Sequence, residues 1–187
     1  VTGKTAWYVL QVSAGREKDV QKELEKRGYK ALAPMETRLI RNKQKWSQKE
    51  YILFNGYVFV RMNYLWAKYY AIAGIRGVIK ILGGGQNPTE LARDEINTII
   101  GLDKYLKEPS IIKFDESGYE IISGVLLDLK DNIKEVKRRN KYATVSMKIA
   151  GEEQIIELSF DEPKNNEPKN AEADQELSNP ADEQKPL

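Results

Sequence analysis

The sequence predicts an α+β protein of two domains, a ferredoxin-like βαββαβ unit followed by a small β-barrel. Three observations lead there. In residues 1–106 the hydrophobic period switches between 2 and 3.6 in the order strand, helix, strand, twice over, before a closing helix. Residues 116–160 hold no helical period and break into four short apolar runs. Residues 161–187 are rich in Pro, Asn and Glu and have too few apolar side chains to offset chain entropy, so a disordered acidic tail is expected.

Element by element, Ala6–Val12 (AWYVLQV) is an apolar, β-branched strand. A helix should run from about Arg16 to Arg27 and stop at Gly28, with Val20 and Leu24 one turn apart and Glu23–Arg27 paired at i,i+4. Tyr29–Pro34 and Tyr57–Met62 read as strands. Leu65, Tyr69 and Ile72 share a helical face that Gly74 ends, Arg76–Leu82 is the next strand, and Gly83–Gly85 is a turn. Ile96, Ile99 and Ile100 mark the closing helix. Lys107 to Asp115, with Pro109 and no clear period, is expected to be a linker. Beyond it, Tyr119–Ile122, Ile133–Lys137, Ala143–Ile149 and Gln154–Phe160 are strand candidates. Ala143, Val145, Met147 and Ile149 alternate with polar residues, as on a half-buried strand.

The formal net charge of +2 hides a polarity along the chain. Residues 1–107 hold 19 Lys/Arg against 10 Asp/Glu, residues 108–160 hold 8 against 10, and residues 161–187 hold 3 against 8. A basic domain followed by an acidic tail fits a nucleic-acid-facing protein. The chain has neither Cys nor His, which removes disulfides, thiolate metal sites and any His-dependent catalytic pair. Scattered carboxylates form no acid/base couple, so no enzyme activity, cofactor or metal is expected. Gly3-Lys4-Thr5 imitates the end of a phosphate-binding loop but lacks the Gly five residues earlier and the strand before it. No apolar run approaches the ~20 residues of a membrane span, and the N-terminal residues lack a signal-peptide layout. A cytoplasmic monomer with no membrane partner is expected.

Two basic clusters stand out. Arg41 to Lys49 interleaves charge with Trp46 between two strands, as an exposed loop or a hairpin tip. Lys137-Arg138-Arg139-Asn140-Lys141-Tyr142 is denser, and from Lys130 to Lys148 there are 7 basic and 2 acidic residues in an otherwise acidic domain. Lys134, Lys137, Arg138, Arg139, Lys141 and Lys148 are therefore the candidate RNA contacts, through phosphates.

Trp7-Tyr8-Val9-Leu10, Gly15-Arg16-Glu17 opening a helix, Phe54-Asn55-Gly56-Tyr57-Val58-Phe59-Val60 and Gly77-Val78-Ile79-Lys80-Ile81-Leu82-Gly83 together resemble the NGN domain of the NusG family. Asn55 stands where that family usually has proline. Ile122-Ser123-Gly124 and the segment to Phe160 are similar to the family's KOW domain, an SH3-like β-barrel. Here Asp131 replaces a usual glycine, and Gly124-Val125-Leu126 replaces Gly-Pro-Phe/Leu. The departures and the Lys137–Lys141 run resemble a specialised LoaP- or RfaH-like paralogue. The resemblance implies 1–106 as NGN domain, 107–115 as linker, 116–160 as KOW domain and 161–187 as tail.

It further implies a transcription elongation and antitermination factor that binds the clamp helices of the RNA polymerase largest subunit. Phe54 and Tyr57, with Trp7 and Tyr8 beside them, correspond to the polymerase-binding pocket. Arg76, in Ala71–Arg76, corresponds to the contact with non-template DNA. The KOW domain would then bind a nascent RNA hairpin or, in a housekeeping member, Rho or a ribosomal protein. A ribosome-associated RNA-binding protein is the alternative from another class.

Overall fold

The computed structural model describes residues 5–42, 45–85, 87–105 and 109–163. Gly3 and Lys4, Lys43 and Gln44 of the first basic cluster, Lys107 of the expected linker and the tail from residue 164 onward lie outside the described residues.

The first part of the chain runs β1 (Thr5–Val12), α1 (Glu17–Lys26), β2 (Lys30–Leu32), β3 (Met35–Asn42), β4 (Lys45–Ile52), β5 (Tyr57–Asn63), α2 (Trp66–Ala73), β6 (Val78–Ile81) and α3 (Arg93–Tyr105). Four strands form one sheet in the order β2-β5-β1-β6, with every pair antiparallel. This is the ferredoxin-like pattern, with β1 and β5 central as their apolar runs demand. Between β2 and β5 the chain inserts the β3–β4 hairpin as its own two-stranded sheet. Arg41–Lys49 was expected to be a loop or hairpin tip; its described residues, Arg41, Asn42 and Lys45 to Lys49, are the distal parts of β3 and β4. These strands are too polar to show a buried period.

Alternation along the central strands sorts their side chains onto two faces. Tyr8, Leu10 and Val12 of β1, with Val58, Val60 and Met62 of β5, pack against Val20 and Leu24 of α1 and Ile72 of α2. Val9 and Phe59 belong to the opposite face, with Ile96, Ile99 and Leu102 of α3. Each such side chain contributes roughly 1.5–3 kcal/mol by leaving water.

The second part runs β7 (Ser110–Asp115), β8 (Gly118–Ser123), α4 (Val125–Asp128), β9 (Ile133–Lys137), β10 (Tyr142–Ile149) and β11 (Glu152–Asp161). They form one five-stranded sheet in the order β8-β7-β11-β10-β9. These include the four strands expected for the small barrel, and β8 and β9 are not paired with one another. Two expectations need correction. Ser110–Asp115 is not linker but β7, paired antiparallel with β8 and parallel with the end of β11, Phe160 opposite Ser110. Its Ile112 is fully buried. The flanking Pro109 and charged residues mask a run of only six. Nor does the tail begin at 161, because Asp161 ends β11 and Glu162 is ion-paired.

The second part does not have a separate core. Leu126, Leu129, Ala143, Val145, Met147, Ile149, Leu158 and Phe160 form one continuous cluster with Val9, Leu53, Phe54, Phe59 and the apolar side of α3.

Candidate docking face and nucleic-acid interfaces

The Gly15-Arg16-Glu17 segment has a structural purpose. Glu17 is 1% exposed, and its carboxylate accepts a hydrogen bond from the Gly56 N–H at 2.7 Å. The Gly56 carbonyl in turn accepts from the Val12 N–H at 2.8 Å. Gly56 has φ +80°, a left-handed conformation that a side chain there would strain. Glu17 thus fixes the Phe54–Tyr57 turn to the start of α1, while the Gly56 carbonyl fixes it to the end of β1, and the sequence gives no sign of this because a Glu in a first helical turn is ordinarily solvated.

Of the four residues expected to form a polymerase pocket, three share a face. Phe54 is 2% exposed and meets Phe59 edge-to-face at 5.2 Å. Tyr57 and Trp7 are half-buried against the same cluster. Tyr8 belongs to the other face, under the helices. Its hydroxyl donates to the Glu90 carboxylate at 3.3 Å, and burial, with that carboxylate beside it, pushes the hydroxyl up to about 12. Tyr8 is a core residue.

A polar clasp crosses between the two parts of the chain. Glu36 of β3 is 3% exposed. One of its oxygens accepts from the Ser159 N–H at 2.7 Å and from the Ser159 hydroxyl at 2.5 Å, while the other accepts from Arg38. Arg38 also donates to the Glu157 carbonyl at 2.8 Å and lies over the Tyr51 ring at 4.7 Å. Glu36→Ala leaves the Ser159 N–H without its acceptor and removes one of two acceptors from Arg38, so a loss of about 2–3 kcal/mol is expected. Urea unfolding of the full chain measures this, and a midpoint equal to wild type would rule out a stabilising clasp.

Arg76 is exposed beside a cleft of about 430 Å³ that Arg16 and Arg27 also line. Arg16 pairs with Asp19 at 3.2 Å and Arg27 with Glu23 at 2.9 Å, whereas Arg76 has no ion pair among the described residues.

The second basic cluster divides. Lys137, Arg138, Arg139 and Lys141 gather at the β9–β10 turn, where Arg138–Asn140 form one 3-10 turn and Lys141 takes a left-handed φ of +56°. Lys148 lies at the far end of β10, roughly 20 Å along the strand at about 3.3 Å per residue. Lys134 points to Glu153 at 3.8 Å. Neither belongs to the turn.

At the turn, acidic side chains already face the cations. Arg138 makes a two-pronged contact with Glu162, at 3.2 and 2.7 Å, and lies over the Phe114 ring at 4.6 Å. Lys141 meets Asp161 at 3.1 Å and Lys137 meets Glu135 at 3.2 Å. The Arg138 hydrogen bond holds the Glu162 carboxyl below the usual carboxylate range. The hydrogen bond with Tyr142, then Glu135, raises Lys137. Arg139 has no ion pair among the described residues. If phosphates are to bind here, Asp161 and Glu162 compete with them. The pair D161N and E162Q together should tighten binding of structured RNA about two- to fivefold at low salt, the scale of exposed ion pairs, with the difference vanishing as salt rises. Filter binding across a salt series checks this, and unchanged affinity at low salt would count against competition.

Residues 5–100 match the family model described as transcription termination factor nusG. Proteins named transcription termination/antitermination protein NusG are similar over most of the chain. The one from Halalkalibacterium halodurans is 24% identical over 82% of this chain and 94% of its own length. For Neisseria meningitidis the identity is 28%, with the same coverages, and for Rickettsia felis it is 26% over 86% and 90%. Among solved structures, one described as domain interaction in Thermotoga maritima NusG is 25% identical over 83% of this chain and 94% of that one, with a TM-score of 0.49. With the family model spanning more than half of its residues and a ferredoxin-like sheet at its core, this chain belongs to the NusG family of transcription termination and antitermination proteins.

Proposed function

We propose that this chain binds transcribing RNA polymerase through its first domain, suppresses pausing and termination, and uses its second domain to bind a hairpin in the nascent RNA. One observation carries the RNA reading: Lys137, Arg138, Arg139 and Lys141 converge on a single exposed turn of an otherwise acidic domain. Double-stranded RNA offers phosphates and shape rather than readable base edges, and a compact basic turn suits that target. For polymerase, the anchor is the Phe54–Tyr57 turn, and Arg76 meets non-template DNA. Because Phe54 is sealed in a core shared by both parts of the chain, docking through it requires the second domain to shift from the first. Any ligand that binds the parted state better draws the equilibrium that way.

The test is capture of core polymerase by the full chain, with and without a leader RNA containing a hairpin. Polymerase retention that rises with the RNA, together with reduced termination in single-round transcription, is the expected result. Retention on ribosomes instead of polymerase would overturn the reading. A second reading rests on Tyr119, Ile122 and Leu127, which are 48%, 47% and 45% exposed in β8 and α4. Such a surface suits recruitment of a protein, as in housekeeping members that meet Rho or a ribosomal protein.

A further inference from the structure

The α2 segment exposes aromatic surface that the fold does not use. Trp66 is 50% exposed and Tyr70 66%, while Leu65 just before them is 42% exposed. Positions 66 and 70 are one turn apart, so their side chains share a helix face. The two rings lie nearly parallel, at 26° with centroids 5.9 Å apart, which makes a flat stack with an open side.

The stack is held from behind. Tyr69 meets Trp66 edge-on at 5.7 Å and Tyr70 edge-on at 5.3 Å. Tyr64 lies behind Tyr69 at 6.3 Å, and its hydroxyl donates to the Gly85 carbonyl. Gly85 itself leaves little room, since a Cβ there would stand 3.1 Å from Tyr69 and 3.2 Å from Trp66. The rings are therefore positioned before any partner arrives, which limits the ordering cost of binding.

A cleft lined by three arginines and two carboxylates begins where this helix ends. Arg27 donates to the Ala71 carbonyl at 2.8 Å, one residue beyond Tyr70. Gly74, Ile75 and Arg76, which has no ion pair among the described residues, then line the cleft with Arg16 and Arg27 and with their carboxylate partners Asp19 and Glu23. At a rise of about 1.5 Å per residue, Tyr70 and Gly74 are separated by only about 6 Å along the helix. A flat aromatic stack adjoining Arg76 is the pairing that single-stranded nucleic acid requires, bases on the rings and phosphates on the cation, with Arg16 and Arg27 exchanging Asp19 and Glu23 for further phosphates. Duplex bases are already stacked and present no free face.

We propose that Trp66 and Tyr70 form a base-stacking platform for single-stranded DNA, whose phosphates run into the cleft of Arg16, Arg27 and Arg76. This rests on the reading of Arg76 as a non-template DNA contact and adds to it a base-binding site on α2.

The experiment titrates the full chain with a short labelled single-stranded DNA, the same strand with abasic sites, and an RNA of the same sequence. Trp66→Ala and Tyr70→Ala should each weaken DNA binding about tenfold, within the range seen for base–aromatic stacking, with the salt slope unchanged. Wild-type protein should bind abasic DNA about as weakly as these variants bind intact DNA. Arg76→Ala should weaken both strands alike and reduce the salt slope by about 0.7, one phosphate's worth. Circular dichroism confirms that each variant is folded. If Trp66→Ala and Tyr70→Ala bind intact DNA like wild type and abasic sites make no difference, the platform is overturned and the aromatic face passes to a protein partner. Arg76→Ala then decides the DNA reading by itself. Tighter binding of the RNA, with equal loss in the aromatic variants, would overturn the assignment to DNA.

Discussion

Phe54→Ala is expected to lower the stability of the whole chain by about 3–5 kcal/mol, the range for deleting a buried aromatic ring. Against a total of roughly 5–15 kcal/mol for a typical domain, that is a large share. The ring is 2% exposed, packs edge-to-face on Phe59 and belongs to the cluster that spans both parts of the chain. Both parts should therefore lose stability together, in one transition by far- and near-ultraviolet circular dichroism in urea. A loss below about 1 kcal/mol would show that the ring is not packed in the shared core. The same burial makes Phe54→Ala a poor test of polymerase docking, because a lost complex would also follow from lost fold. Tyr57 is half-buried on the same face and separates the two effects. Tyr57→Ala should leave a folded chain that binds polymerase at least tenfold more weakly, if this turn is the anchor.

Replacing Arg138 and Arg139 together by Ala should weaken binding to structured RNA by roughly tenfold or more and flatten its salt dependence by up to about two units, close to one per phosphate. The two arginines should contribute unequally. Arg138 must exchange the Glu162 carboxylate for a phosphate, whereas Arg139 has no ion pair among the described residues to give up. Arg139→Ala alone is therefore expected to cost more affinity than Arg138→Ala. The measurement is RNA affinity against salt for the full chain, since the second domain shares its core with the first. Polymerase binding should persist in the double variant. Equal affinities and slopes for wild type and double variant would return this domain to protein recruitment.

By itself the sequence determined the elements whose burial is local and periodic. The alternation of Tyr8, Leu10 and Val12 against Trp7 and Val9 announces a central strand buried on both faces, and Val20 with Leu24 marks the inner side of α1. The order of these pieces, with the Phe54–Val60 segment, was enough to point to the NusG family. The clustering of Lys137 to Lys141 was equally legible, because adjacent residues at a turn stay adjacent in space.

Tertiary structure alone decided what covers each face. Periodicity reports that a side is buried, not which distant segment buries it, so the pairing of Ser110 with Phe160 and the single core across both domains had no local signal. Glu36 reads as an ordinary strand carboxylate until Ser159 donates to it from 123 residues away. Lys134 and Lys148 fall in the same basic stretch as Arg138, yet strand geometry carries Lys148 to the opposite end of β10. Trp66 and Tyr70 invert the usual expectation for large aromatic rings. Their helix turns that face away from the sheet, and the packing of Tyr64, Tyr69 and Gly85 behind them fixes them in the open.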